Sequence, residues 1–357
     1  MDAAGHPPPG ADLARRFWHE AVDPLLERHL PGLGCAAGRL GTGSDVLGLD
    51  DATSRDHDWG LRLTLLVPPG REGPVQEVLE QELPATFAGH PVRFALTGDP
   101  RPRHRVDVTN LAEFAARHLG TGPDGPTGPL DWLALTGQAV LEVTAGPVFR
   151  DDEGALTRLR ERLRSYPEDV HRYALACDWQ RLDQELPLVG RTADVGDDLG
   201  SRLLTARLVR VAVHLGFLLH RRWPPYAKWA GTLFARLPVA AAVLPALEDA
   251  VRAGTGRERQ AALGTALDAL LDLQRRTGLP APPAPTAATL PFHDRPHRCV
   301  HPDLVPLLLD SVQDPAVRRL PAGVGGVEQW VDDVDVLVHP DRRRAVTAAW
   351  REAAGGA

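Results

Sequence analysis

The chain of 357 residues predicts an α+β fold, in which a small mixed sheet flanked by helices is followed by an all-helical domain. In the first half, short runs of strand length lie between longer segments of helical period. These short runs are either wholly apolar or alternate between apolar and polar residues. From about residue 154 onward, nearly all periodic segments are helical. We therefore place a disordered leader at residues 1–10, the α+β domain at 11–165 and the helical domain at 166–357.

The elements of the first domain follow from hydrophobic period and from turn residues. Helices are expected at 11–30, 72–82 and 131–143. Strands are expected near 36–40 and at 56–67, 92–97, 105–109 and 147–149. Pro100 and Pro102 predict a loop between the third and fourth of these strands. The helices expected in the rest of the chain are 155–163, 167–186, 198–222, 227–237, 243–253, 257–277, 301–313 and 342–353.

Composition limits the class of protein. The net charge of −7 argues against general nucleic-acid binding. Three widely spaced cysteines predict no disulfide framework and fit a reducing cytoplasm. The first residues lack a basic region and an apolar core, so we expect no signal peptide. The most apolar long segment, 203–219, carries two arginines and a histidine, which indicates a buried helix and no membrane association.

The segment 43–58 has the most specific chemistry. Eleven residues separate the Gly43-Ser44 turn from Asp56 and Asp58, which flank a single residue. Side chains two apart in a strand point to the same face, so the two carboxylates would converge. Convergent anions need a cation, and Mg²⁺ shared with substrate phosphates is the usual one. This pattern predicts metal-dependent phosphoryl or nucleotidyl transfer.

Two further features strengthen the prediction. Glycine allows close approach of the backbone to a phosphate, and Ser44 adds a hydroxyl at the start of the next helix. Asp107 is a candidate third carboxylate, because Val106 and Val108 would face the opposite side of its strand. Three carboxylates would complete a site for two Mg²⁺ ions. The alternative for Asp107 is an edge-strand aspartate that faces water.

These residues resemble the signature of the nucleotidyltransferase fold, the superfamily of DNA polymerase beta and of the kanamycin and lincosamide nucleotidyltransferases. More closely, three runs are similar to DUF4037, a family of predicted nucleotidyltransferases: 43–60, 176–181 and 226–229. The resemblance covers about residues 30 to 340. It implies that Gly43 and Ser44 hold the β- and γ-phosphates.

The resemblance also implies roles for the carboxylates. Asp56 and Asp58 would bind the metals, and Asp107 would help bind the catalytic metal and act as general base. His57 departs from the superfamily pattern, which has an apolar residue between the two carboxylates. We interpret His57 as structural, with its ring on the opposite face.

The helical domain offers counter-charges for a triphosphate. Arg207, Arg210 and His214 fall on one stripe of the helix 198–222, although a solvated stripe is the simpler interpretation for each arginine. Lys228 is the only lysine of the chain, and Pro224-Pro225 place it in the first turn of a helix. It resembles the helical-domain lysine that contacts nucleotide phosphate in antibiotic nucleotidyltransferases. We assign Arg207, Arg210 and Lys228 to nucleotide binding.

Two functions remain open on this evidence. The leading hypothesis is a cytoplasmic enzyme that transfers a nucleoside monophosphate, with ATP as the expected donor, to a hydroxyl or amine, most simply on a small molecule. The alternative is a nucleotide-binding regulatory or antitoxin-like module without turnover. His297, Cys299 and His301 have metal-ligand residue types, but they lack a fourth ligand and the zinc spacings.

Overall fold

The computed structural model describes residues 9–51, 53 and 59–355, without the side chains of 350–355. The chain divides into two compact units. The first unit comprises Met1–Pro126 and Ala139–Arg164, and the second comprises Thr127–Gln138 and Ser165–Ala357. Residues 1–8 of the predicted leader lie outside the described residues, whereas Gly10 is buried and begins the first helix.

A five-stranded mixed sheet forms the centre of the first unit. Its strands are β1 Ala36–Gly38, β2 Arg62–Leu66, β5 Arg93–Leu96, β6 Asp99–Thr109 and β7 Val148–Asp151. Their order is β5-β6-β2-β1-β7, in which β2 and β6 are parallel and the other neighbours antiparallel. A separate short pair joins β3 Thr86–Phe87 to β4 His90–Pro91.

Helices cover one face of this sheet. The helices of the first unit are α1 Gly10–Phe17, α2 Asp23–His29, α3 Glu72–Glu82, α4 Leu111–Leu119, most of α6 Gly137–Thr144 and α7 Ala155–Arg162. Leu63 and Leu65 of β2 lie in one core cluster with Phe17 of α1 and Leu79 of α3. Because side chains alternate along a strand, Arg62 and Thr64 face the other side of the sheet.

The strand that we expected at 56–67 is wrong at residues 59–61, and its residues 56–58 lie outside the described residues. Trp59, Gly60 and Leu61 are not in a strand, and β2 begins at Arg62. Gly60 has φ of +142°, and a Cβ there would lie 3.0 Å from the Phe94 ring. Only glycine suits that conformation, so it breaks the extended run.

The predicted loop at Pro100 and Pro102 is also wrong, because both prolines lie inside β6. In this part of the strand the recorded pairing is with β5, whereas β2 pairs only from Arg105 onward. Proline is tolerated in a strand where its nitrogen faces no partner. Among the described residues, this part of β6 has no partner strand on its second side, which accommodates the prolines that the sequence pattern interpreted as a break.

The second unit is helical, apart from one hairpin of β8 Thr289–Pro291 and β9 Arg298–Val300 that the sequence did not predict. Its helices are α5 Pro129–Leu133, the start of α6, α8 Glu168–Asp194, α9 Asp198–Leu219, α10 Ala227–Phe234, α11 Ala240–Arg252, α12 Gly256–Arg276, α13 Leu304–Asp310, α14 Pro315–Arg318, α15 Val327–Trp330, α16 Val334–Leu337 and α17 Pro340–Gly355. The α+β class with a helical second region is thereby confirmed.

Several helix boundaries differ from prediction, and two of these differences have a clear structural description. The helix expected at 131–143 is two helices, α5 and α6, separated at residues 134–136. The helix expected to end at Leu186 continues through the buried Pro187 to Asp194. An interior proline costs about 3 kcal/mol, and the packing of α8 against α9, α12 and α13 offsets this cost. Within the described part of the chain, no helix is long and apolar enough to cross a membrane.

Candidate active site

The loop that contains the Gly43-Ser44 turn is organised by a buried arginine. Arg39 is 1% exposed and pairs with Asp45, with Nε–Oδ2 and Nη2–Oδ1 distances of 2.7 and 2.8 Å. The same guanidinium donates to the carbonyl oxygens of Leu40 and Thr42 at 2.6 and 2.8 Å. All three of its nitrogens thus have partners within the loop, so Arg39 acts as scaffold and not as a ligand contact.

This scaffold dictates the direction of the Gly43 amide. In a trans peptide the N–H points opposite to the preceding C=O, so Gly43 N–H faces away from Arg39. Gly43 has φ of +138°, and a Cβ there would lie 2.3 Å from Asp45 and 2.4 Å from Arg39. Glycine is therefore required. Ser44 begins a single 3₁₀ turn, Ser44–Leu47.

The loop adjoins the face of β2 that points away from the core. Thr64 Oγ1 donates to Leu40 O at 3.4 Å, and Arg62 Nη2 donates to Thr42 Oγ1 at 3.1 Å. In the parallel pairing of β2 with β6, Thr64 is in register with Asp107. The Gly43-Ser44 turn and Asp107 are distant in sequence, and β2 brings them to one face of the sheet.

Asp107 is accessible and carries a partner that the sequence did not reveal. Its side chain is 44% exposed and accepts a hydrogen bond from Arg117 Nη1 at 2.7 Å. Arg117 lies in the last turn of α4, which directly follows β6 and is capped by Asn110. An arginine thus neutralises the candidate metal ligand in this structure.

A second pair beside the loop was also missed. His118 Nδ1 lies 2.7 Å from Glu142 Oε2, and the Glu142 carbonyl accepts from Gly41 N at 2.7 Å. A Cβ on Gly41 would lie 3.7 Å from the His118 ring. No local pattern links residues 24 positions apart on different helices, so tertiary structure alone brings them together.

Asp56 and Asp58, the other predicted metal ligands, and His57 lie outside the described residues. The residues on either side of this segment are anchored, because Asp50 Oδ2 accepts from Trp59 Nε1 at 3.1 Å and from Gly10 N at 2.7 Å. In the described chain, which omits 52 and 54–58, no group of three or more His, Cys, Asp or Glu residues is arranged to hold a metal. His297, Cys299 and His301, all of which are described, therefore do not form such a group.

The nucleotide contacts predicted in the helical region belong to the second unit. Arg207 pairs with Glu185 at 3.2 Å and Arg210 with Asp332 at 3.2 Å, and both arginines are more than half exposed. Lys228 is exposed in the first turn of α10, with Nζ 4.9 Å from the centre of the Trp229 ring. All three cations reach solvent, where they could meet an anion, but each has a local partner.

His214 does not share the solvent-exposed stripe expected for it. Its Nδ1 lies 2.6 Å from Asp178 Oδ2, and its Nε2 lies 3.7 Å from Glu328 Oε1. Glu328 Oε2 also accepts from Gly137 N at 2.9 Å. Burial disfavours the imidazolium, but the two carboxylates outweigh it and raise the pKa of His214 to about 10.

Comparisons with known proteins agree with part of the sequence prediction. Residues 132–230 match the family model of DUF4037, a domain of unknown function, so the predicted resemblance to DUF4037 is confirmed over this segment. No curated protein matches the chain. The nucleotidyltransferase-like protein from Exiguobacterium sibiricum 255-15 has a similar structure, with 16% sequence identity, a TM-score of 0.32 and coverage of 75% of this chain and 76% of that chain. A likeness of this size carries no conclusion about activity.

Replacing Asp45 with alanine should lower the free energy of unfolding by about 3–5 kcal/mol, because Arg39 would remain buried without a counter-charge. Urea denaturation measures the change. Arg39→Met combined with Asp45→Ala should recover part of the loss, since no unpaired charge remains. Glu20→Ala breaks the exposed Arg16–Glu20 pair and is the control, with an unchanged midpoint expected. If Asp45→Ala matched this control, the scaffold role would be wrong.

The stability contributed by protonated His214 should be full below pH 6.5 and fall as the pH rises to about 10, because its pKa is raised in the folded state. The difference in unfolding free energy between wild type and His214→Gln should therefore shrink across this range. His171→Gln is the matched control: burial lowers the pKa of His171 to about 4, so its difference should stay constant above pH 6.5. A constant difference for His214→Gln would contradict the assigned charge.

Proposed function

We propose that the protein is a Mg²⁺-dependent nucleotidyltransferase. It would move a nucleoside monophosphate from a triphosphate, with ATP as the expected donor, to an acceptor hydroxyl or amine, and release pyrophosphate. The observation that carries the proposal is the position of β2. Thr64 contacts the loop of the Gly43-Ser44 turn and is in register with Asp107, so a loop suited to phosphate and a carboxylate suited to metal adjoin one strand face.

The loop supports this proposal through its fixed backbone. Arg39 and Asp45 hold Gly43 in a conformation whose N–H faces away from the buried ion pair. An amide that is already oriented binds an anion without paying for ordering at the moment of binding. Arg62 Nη1 would lie 3.4 Å from a Cβ on Gly43, so its positive charge adjoins the same position. Ser44 would add its hydroxyl to the β- and γ-phosphates.

The carboxylates suit the metal chemistry. Asp56, Asp58 and Asp107 would together supply an all-oxygen donor set of the kind that Mg²⁺ prefers, and two bound ions would neutralise the triphosphate and activate the acceptor. The guanidinium of Arg117 pairs with the Asp107 carboxylate and neutralises its charge, as a metal cation would. Arg117 is 48% exposed, so it can leave Asp107 without losing buried packing. Asp107 would then accept the proton of the acceptor hydroxyl or amine.

The acceptor is inferred from charge alone. A net charge of −7 does not favour a polyanionic acceptor, so we propose a small molecule and not a nucleic acid. Cys35, Cys177 and Cys299 are free thiols, which fits the cytoplasmic location that we propose. Lys228, Arg207 and Arg210 remain proposed nucleotide contacts of the second unit.

One observation favours the second candidate, a nucleotide-binding regulatory or antitoxin-like module without turnover. The Arg117–Asp107 ion pair neutralises the carboxylate without any metal. A module that only binds nucleotide would keep this pair closed. The two candidates therefore differ in whether Asp107 is needed for chemistry or only for structure.

Asp107→Ala and Asp56→Ala should each reduce Mg²⁺-dependent pyrophosphate release by at least about 100-fold, because each removes a metal ligand. The measurement is pyrophosphate release from each of the four common triphosphates across a panel of small hydroxyl and amine acceptors. Asp12→Ala, an exposed aspartate on α1, is the control and should retain full release. Nucleotide binding by wild type without release from any triphosphate would favour the regulatory module.

Lys228→Ala should weaken triphosphate binding by about tenfold, the effect of losing one charge-assisted contact. Titration calorimetry measures the dissociation constant. Lys228→Arg keeps the charge but replaces the compact ammonium with a planar fork, so it should restore only part of the affinity. Unchanged affinity in Lys228→Ala would show that the lysine serves only its contact with the Trp229 ring.

A further inference from the structure

The strand that carries Asp107 also carries a row of arginines. Side chains alternate along β6, and exposure follows this alternation. His104 and Val106 are buried, at 5% and 4% exposure. By contrast, the side chains of Arg103 and Asp107 are 45% and 44% exposed. Arg103 and Asp107 therefore lie on the same face of the sheet, and at about 3.3 Å per residue their Cα atoms are roughly 13 Å apart.

Arg105, which lies between these two residues on the same face, is occupied by contacts within the fold. Its side chain is 10% exposed. Its guanidinium donates to three main-chain carbonyl oxygens, those of Phe94, Asp99 and Arg101, at 2.9, 3.1 and 2.9 Å. It also donates to Asp99 Oδ2 at 3.2 Å. Arg105 therefore fixes the connection between β5 and β6 and holds the Asp99 carboxylate in place.

The Asp99 carboxylate is shared by three arginines. Besides Arg105, it pairs with Arg101 at 3.4 Å and with Arg103 at 3.2 Å. Arg101 and Arg103 are 77% and 45% exposed, and Asp99 is the one acidic partner of each in the part of the chain that the structure describes. Three guanidinium groups and one carboxylate leave a surplus of two positive charges. Like charges held this close repel each other, and a bound anion would relieve the repulsion.

We propose that Arg101 and Arg103 bind an anionic group of the acceptor. The acceptor is then a small molecule that carries a phosphate or carboxylate at a distance from the hydroxyl or amine that reacts at Asp107. This inference rests on the proposed function and names the class of acceptor that the proposed function leaves open. A guanidinium matches either anion through two parallel N–H donors. A surplus of two charges suits one such group and not the row of phosphates in a nucleic acid, which agrees with the net charge of −7.

The test is titration calorimetry with sugars that differ only in one charged group. Glucose, glucose 6-phosphate and glucuronate supply the neutral, phosphate and carboxylate forms, and glucosamine with glucosamine 6-phosphate adds a pair that carries an amine. Each sugar is titrated into the protein with Mg²⁺, both with and without a triphosphate analogue whose α,β-bridge cannot be cleaved. At least one charged sugar should bind about tenfold more tightly than its neutral counterpart. The glucose series shows which of the two anions the arginines prefer.

Arg103→Gln should weaken binding of the charged sugar by about tenfold and leave the neutral sugar unchanged, because it removes one charge-assisted contact. Arg101→Gln should have a smaller effect, since Arg101 is more exposed. Arg103→Lys keeps the charge but lacks the planar fork, so it should restore only part of the affinity. Arg15→Gln is the matched control: Arg15 is 50% exposed and pairs with Asp12 at 3.2 Å in the same unit.

The outcomes separate this inference from the proposed function. Charged and neutral sugars that bind equally well, or that do not bind at all, would overturn the anion contact. A preference for the charged sugar that both glutamine variants keep would also overturn it. In either case, Mg²⁺-dependent pyrophosphate release with a neutral acceptor would leave the proposed function standing. The expected preference and its loss in Arg103→Gln, without pyrophosphate release from any triphosphate, would support the anion site and reject the enzyme.

Discussion

The buried ion pair between Arg39 and Asp45 is the constraint on which the candidate site depends. A charge in the core is tolerated only when its partners are in place, and Arg39 finds all of them within residues 40–45. The loop is therefore tied to one conformation, with carbonyls turned inward. A flexible loop loses conformational entropy when it binds a ligand, which weakens its affinity. The loop held by Arg39 and Asp45 is already ordered and avoids this cost.

The remaining parts of the site are positioned relative to that loop by regular structure. β1, which leads into the loop, pairs with β2, and β2 pairs with β6 in parallel register, so Asp107 reaches the same sheet face. The chain then turns directly into α4, which returns Arg117 to Asp107 and His118 to the loop. The strand pairings are main-chain hydrogen bonds, and α4 is capped by Asn110, so regular secondary structure positions the side chains of the site.

The second unit shows the same use of buried charge. His214 is held between Asp178 and Glu328, and Gln329 donates to the second oxygen of Asp178 at 2.7 Å. These contacts join α15 to α8 and α9. Asp178 and His214 lie within the segment that matches the DUF4037 family model. The sequence analysis had placed His214 on a stripe of the helix 198–222 that offered counter-charges for a triphosphate. The structure instead makes His214 part of an internal network.

The sequence predicted elements well where one local signal dominates. The predicted helix 72–82 is confirmed at both ends. Here the helical period of the residues and the residues at the two boundaries indicate the same range. Prediction failed where a neighbour overrides a local rule. Pro187 lies inside α8, where packing offsets the usual penalty. Pro100 and Pro102 lie inside β6, in a part of the strand that has no second partner strand among the described residues.

By itself, the sequence determined the fold class, the Gly43-Ser44 turn and the choice of Asp107 as a strand residue with its side chain opposite to Val106. Those features depend on period, spacing and residue type, all of which are local. Only the tertiary structure decided that Arg39 and Asp45 fix the loop, that Arg117 neutralises Asp107, and that Glu142 holds His118. Such pairs form between residues whose partners are chosen by packing and by the need to neutralise charge away from water, and no local pattern encodes that choice.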